Sequence, residues 1–171
     1  MTNKEFEELY NTIIDSKSIN DALSDERLSI SFLKRNGLKV RLIHDLNLLE
    51  AHNIFNAFSR SKFGFFLSKE NEFKASRLEW DTDDLWEKLQ VSGNSNAIII
   101  TDQSTKNFVL ALNDAETIWL IGNREFLEIA QPYPLSIMKS YYLGWYDLDD
   151  EDLDSESFWG LWNAYENLML N

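Results

Sequence analysis

The stretch from Ala97 to Gly122 constrains the fold of this chain more than any other part of it. Ala97-Ile98-Ile99-Ile100-Thr101 carries three consecutive β-branched apolar residues, which predicts a strand buried on both faces in the middle of a sheet. A polar turn over Asp102 to Lys106 leads to a second strand, Phe108 to Leu112. Asn113-Asp114-Ala115-Glu116 makes the next turn, and Thr117 to Ile121 is a third strand that Gly122 ends. Loops this short join only antiparallel neighbours, so the segment reads as a three-stranded meander.

Elsewhere the apolar period changes to that of helices. Thr2-Asn3-Lys4-Glu5 fits a capping box, and Phe6, Leu9, Tyr10, Ile13 and Ile14 behind it fall on one helical face. Lys17 to Asp25 is polar and reads as a connection. Leu28, Ile30 and Phe32, then Leu38, Val40 and Leu42, alternate with polar residues on either side of Asn36-Gly37. That pattern favours a hairpin with a type I′ turn, with a helix across Asp25 to Arg35 as the competing reading. Asp45 is placed to cap a helix to about Ser61 with Leu48, Ala51, Phe55 and Phe58 inward, and Phe63 to Leu67 reads as a strand. Glu72 to Trp80 fits neither period. A helix starts at Asp81 or Thr82 and stops at Gly93, with Leu85, Trp86 and Leu89 inward. Asn123 caps a short helix over Glu125 to Ala130 that Pro132 ends; Pro134 opens another reaching Leu143, with Gly144 as its cap. The last helix runs from Phe158 to about Met169, burying Phe158, Leu161, Trp162, Tyr165 and Leu168. The expectation is a single α+β domain over residues 1–171: an antiparallel sheet containing the meander, packed by several helices, with a helical C-terminus. With two prolines, six glycines and no linker-like stretch, nothing in 171 residues marks a domain boundary.

Charge is the feature that speaks to function. Lys and Arg number 16 against 29 Asp and Glu, a formal net charge of −13. Seven of the ten residues from Asp147 to Glu156 are acidic: Asp147, Asp149, Asp150, Glu151, Asp152, Asp154 and Glu156. From Ser140 to Asn171 there are these seven acids, Glu166 and no Lys or Arg, so this segment holds −8 of the total. Trp145 and Tyr146 precede the acidic run; Phe158, Trp159 and Trp162 follow it. Crowded like charges repel one another until a cation compensates them, and a basic partner would be steered in by their field. Aromatic neighbours suit the anchoring positions of an interface. The candidate partner-binding residues are therefore Trp145, Tyr146, Asp147, Asp149, Asp150, Glu151, Asp152, Asp154, Glu156 and Trp159. A solvated loop has the same composition, and here it also puts negative charge near the start of the last helix. Of the six tryptophans, Trp119 and Trp162 lie on core faces, whereas Trp145 and Trp159 are the expected exposed pair. Lys34, Arg35, Lys39 and Arg41 crowd the proposed hairpin and are read as solvated decoration that discourages edge pairing.

Other chemistry finds little support. There is no Cys, hence no thiolate site and no disulfide. His44 and His52 lie eight apart without a His-Glu-x-x-His pattern. Asp147, Asp149 and Glu151 alternate as in a calcium loop, but Asp152 stands where glycine is needed and Phe158 where a bidentate glutamate is needed. No catalytic residue, metal site or cofactor is assigned. An acidic chain repels phosphate backbones, so no direct nucleic-acid binding is expected. No apolar run reaches membrane-spanning length and the N-terminus has no signal-peptide core, so a cytoplasmic protein is expected.

The meander from Ala97 to Gly122 with the acidic, Trp-rich tail after it resembles, in general character over the second half of the chain, bacterial immunity proteins of contact-dependent growth inhibition and other polymorphic toxin systems. The resemblance implies a small cytoplasmic protein, not an enzyme, that binds and neutralises a cognate toxin domain, often a nuclease. Toxin nucleases are usually basic because they grip phosphates. An acidic DNA mimic that inhibits a nucleic-acid enzyme is the alternative; a small carboxylate-dependent enzyme is a third reading without motif support.

Overall fold

The computed structural model describes residues 1–19, 23–44, 46–58, 62–81, 97–112, 117–145 and 158–170. In chain order these form α1 (Asn3–Ile13), β1 (Ile14–Ile19), β2 (Leu23–Leu28), α2 (Ile30–Asn36), β3 (Lys39–His44), α3 (Leu48–Phe58), β4 (Phe63–Lys69), β5 (Phe73–Glu79), β6 (Ala97–Asp102), β7 (Phe108–Leu112), β8 (Thr117–Gly122), α4 (Arg124–Ala130), α5 (Leu135–Trp145) and α6 (Phe158–Tyr165), which runs into a 3-10 turn, Glu166–Leu168. The helix expected to start at Asp81 or Thr82 falls outside the described residues.

The fold is α+β. Six strands make one open antiparallel sheet in the order β3-β8-β7-β6-β4-β5, and β1 pairs with β2 in a separate hairpin. The meander forms as its sequence requires: Ile99 stands opposite Leu110, and Leu110 opposite Trp119. Both β6 and β7 are buried along their whole length because helices cover both faces of the sheet. Ile99, Leu110, Trp119 and Ile121 face a core shared with α1, α2 and α6. Ile98, Ile100, Val109, Ile118 and Leu120 face a second core shared with α3 and α4. This is why an unbroken apolar run, rather than an alternating one, occupies the middle strand.

Several local expectations change. The Asn36-Gly37 pair ends a helix instead of turning a hairpin. The Ser29 side chain accepts from the Phe32 amide at 3.3 Å to start α2, and Gly37, at φ 63°, returns its amide to Leu33 and Lys34 carbonyls to stop it. A positive-φ glycine serves both motifs, and here the serine cap decides. The polar residues taken for a connection supply β1 and β2. Asn47 caps α3 through a reciprocal exchange with Glu50, 3.0 Å each way; Asp45 is outside the described residues. Glu72 to Trp80 resolves as β5, paired with β4. Gly144 lies within α5 rather than at its end, and Pro134 sits just ahead of that helix, its carbonyl accepting from Ile137 and Met138. Thr2 and Glu5 do form the capping box, and that exchange holds the exposed Glu5 carboxyl below its ordinary range. Asn123 caps α4 as expected.

Candidate partner-binding surface

The surface is organised by a buried cation. Arg41 was expected on the outside of a hairpin; it is 3% exposed, because β3 is a sheet strand whose Arg41 and Ile43 side chains share the face packed by α3 and α4. Its Nη1 donates to the carbonyls of Gln131 and Tyr133, the latter at 2.6 Å. Gln131 is the C-cap of α4 and Tyr133 follows Pro132 just beyond it, so the cation sits past a helix C-terminus, where positive charge is well placed. Burial pushes the guanidinium below its ordinary range, with nearby Glu128 opposing and Arg124 adding to the effect. Arg41 Nε and Gln131 Oε1 are both buried without a hydrogen-bond partner. Gln131 Nε2 reaches Glu50 Oε1 at 3.4 Å, which sets the start of α3 beside the junction of α4 and α5. Burial also raises the Glu50 carboxyl above its ordinary range, against the hydrogen bonds from Asn47 and Gln131.

Holding the Tyr133 carbonyl fixes how the chain enters α5. Beyond it, Tyr133, Ile137 and Tyr141 are 48%, 55% and 55% exposed at a spacing of four, while Met138 on the other side of the helix is buried. Ile137 and Tyr141, four apart on α5, lie one above the other, whereas Tyr133 precedes Pro134 and the helix. Ser136 and Ser140 flank the pair, and both are exposed. Leu48 and Leu49 at the start of α3 are also exposed.

Of the residues proposed from sequence to meet a partner, Trp145 is the last residue of α5 and Trp159 the second of α6. Tyr146, Asp147, Asp149, Asp150, Glu151, Asp152, Asp154 and Glu156 lie outside the described residues. The two helices that bracket them are firmly seated. Trp162 and Tyr165 are buried, Tyr165 stands edge-on to Trp119 at 4.6 Å, and its hydroxyl donates to the Leu28 carbonyl at 2.5 Å. Lys139, the last basic residue of the chain, pairs with Glu166 across the two helices at 3.1 Å. Trp119 and Trp162 lie in the core as expected. Ile137 and Tyr141 were not singled out from sequence. Their only signal is an apolar spacing of four after Pro134, and that spacing reads equally well as a buried stripe.

A cavity of about 180 Å³ opens beside Phe58, Asp102, Asn107, Asn123, Phe126 and Ile129. Its polar groups serve the fold: Asp102 accepts from Ser104 at 2.7 Å and Asn107 at 3.3 Å, and Asn123 accepts from the Phe126 amide at 2.9 Å. His52 is exposed on α3. Among the described residues no three His, Asp or Glu side chains gather to hold a metal ion, and no helix is long and apolar enough to cross a membrane. No protein-family model matches the chain, and no curated protein or solved structure matches it either.

Proposed function

We propose that the chain is a non-catalytic immunity protein that binds a cognate basic toxin domain, a nuclease by the logic of charge, and neutralises it by covering its active or substrate-binding surface. The observation that carries this reading is where the chain's negative charge lies. Seven acids in ten residues connect two helices that are each rooted in the core and pinned together by the Lys139–Glu166 pair. Lys139 is thereby engaged, and no Lys or Arg follows it in the chain. The cations that would relieve the repulsion among those carboxylates are best supplied by a partner. A nuclease that grips phosphates carries them in its substrate groove, so neutralising the charge and blocking the groove are one act.

The test pairs the purified chain with the purified product of the gene immediately upstream, following association by stopped-flow fluorescence and nuclease activity in parallel. Association is expected to be fast and strongly slowed by salt. Replacing Asp149, Asp150, Glu151 and Asp152 together by Lys is expected to slow it by about tenfold or more at low salt, with loss of protection. Association that ignores both salt and the four charge reversals would sink the reading. Inhibition of a resident DNA-processing enzyme, relieved by competing duplex DNA, would replace it with mimicry.

A further inference from the structure

We infer that the cavity at the end of β6 is a binding site for a guanidinium group, the head of an arginine residue. The inference stands apart from the proposed function, because its test needs this chain alone. The cavity, about 180 Å³, is lined by Ala57 and Phe58 of α3, Asp102 of β6, Asn107, Asn123 and Phe126 of α4. Asp102 is the group that calls for a ligand. It is 7% exposed. Ser104 Oγ donates to its Oδ1 at 2.7 Å, and Asn107 Nδ2 donates to its Oδ2 at 3.3 Å. Both donors are neutral, and among the described residues no Lys, Arg or His pairs with this carboxylate. Buried charges are normally matched by an opposite charge. An ionised carboxylate has about four acceptor sites, so two donors hold it in place and leave room for more.

Size and lining select the occupant. Drug-sized ligands fill roughly 300 Å³ or more, whereas a benzene-sized guest needs about 150 Å³, so this cavity takes one side-chain head. Acceptors dominate its polar groups: the Asp102 carboxylate and the Oδ1 atoms of Asn107 and Asn123, while the Asn107 Nδ2 donor is directed at Asp102. A guanidinium has five donors, no acceptor and a flat fork that matches a carboxylate. The rest of the wall is apolar, and a weakly hydrated guanidinium tolerates such a wall better than a strongly hydrated ammonium does. A metal ion is disfavoured, because among the described residues no three His, Asp or Glu side chains gather. The walls are also pre-set. A Cβ on Gly122 would lie 2.6 Å from Asn107 Oδ1 and 2.7 Å from Phe126 Cδ1, so the glycine lets both residues close on the end of β8. Phe126 rests in turn on Phe58, with 4.8 Å between ring centroids. A site already formed loses little conformational entropy when it binds.

The test titrates Nα-acetyl-arginine amide into the isotope-labelled chain and follows backbone amides by NMR. The neutral isostere Nα-acetyl-citrulline amide and Nα-acetyl-lysine amide serve as controls. Saturable shifts at Asn107, Asn123 and Phe126 are expected for the arginine probe, with a dissociation constant on the order of 1 mM. The lysine probe should bind several-fold more weakly, and the citrulline probe should not saturate. Asp102→Asn should weaken arginine binding by about tenfold or more. Ala57→Leu, at a half-buried helix position, should weaken it comparably by filling the cavity without touching the carboxylate. Circular dichroism melts show whether each variant folds; the citrulline comparison on the native chain decides the matter even where a variant does not. No saturable shift with arginine, citrulline binding equal to arginine, or native affinity in both variants would overturn the site. Free arginine binding about tenfold tighter than the capped probe would assign the site to a small ligand, and equal or weaker binding to an arginine on a polypeptide; both outcomes keep the guanidinium.

Discussion

Replacing Arg41 by Met tests whether this buried cation stabilises the fold or only shapes it. The substitution keeps most of the aliphatic volume and removes the guanidinium. Two carbonyls lose their donor, but they do not lose it equally. Tyr133 is half exposed, so water can replace the donor to its carbonyl; Gln131 is 2% exposed, so its carbonyl is left buried and unpaired. An unsatisfied buried acceptor costs about 1–3 kcal/mol, and a hydrogen bond from a charged donor is worth about 1.5–3 kcal/mol. Against this, the native state holds a desolvated cation whose Nε lacks a partner, and removing it recovers part of that cost. Because the groups left behind are neutral carbonyls and not an orphaned charge, the net loss is expected below the roughly 3–5 kcal/mol of a broken buried ion pair, at about 2 kcal/mol. Urea unfolding followed by tryptophan fluorescence would show a midpoint lowered by about 1 M at an unchanged slope. Arg41→Lys, which keeps the charge on a shorter ammonium without the guanidinium's fixed fork, should fall between the two. A Met variant as stable as the native chain, or more so, would refute the reasoning and show that desolvation outweighs both hydrogen bonds.

Two further outcomes follow from the packing and the charges. A Cβ at Gly64 would lie 2.5 Å from both the Thr101 carbonyl oxygen and Trp80 Cζ2, so Gly64→Ala is expected to lose about 1–3 kcal/mol in a thermal melt, as overpacked positions do. Because burial raises the folded-state Glu50 carboxyl above its unfolded value, the stability this group contributes is present below the ordinary glutamate range and is lost as pH rises through the raised value. Glu50→Gln keeps the capping exchange with Asn47. The variant should therefore match the native chain in acid and exceed it in urea stability at neutral pH, and equal stability at both would contradict the assignment.

What was legible in the sequence was whatever had one physical solution. Three β-branched residues between short turns admit only a buried antiparallel strand, and Ala97 to Gly122 folds as read. Thr2, Asn123 and their partners three residues on admit only a helix start. Misreadings came where one residue serves two motifs. Gly37 supplies positive φ to a hairpin turn or to a helix stop, and choosing required knowing that Ser29 caps. Arg41 alternates like a surface residue on a half-buried strand. It is buried because α4 presents carbonyls to it from ninety residues away, a fact no local window contains. Of the proposed contact residues, only Trp145 and Trp159 fall on described elements, and they sit at the facing ends of α5 and α6. The exposure of Ile137 and Tyr141 stayed hidden because spacing reports a helical face without reporting whether that face is buried.

The edges of the sheet decide which kind of recognition is open to this fold. A strand with open donors and acceptors on an outer side would suit strand addition, and Phe108 to Leu112 and Leu38 to Ile43 are the two candidates. The first is β7, paired on both sides within the sheet. The second is β3, an outermost strand, yet its free side is engaged at its second residue: Val40 bridges Met169, and the Leu170 amide donates to the Val40 carbonyl at 3.3 Å. At the other margin the outward amide of Ala75 on β5 is taken by the Asn3 side chain at 3.0 Å. An incoming strand needs a run of open donors and acceptors, and an occupied position near the start of a short outer strand shortens that run. Both faces of the sheet are already under helices. Strand addition is therefore obstructed near the start of each outer strand, and the immunity reading proposed above leans on the helical surface and on charge instead.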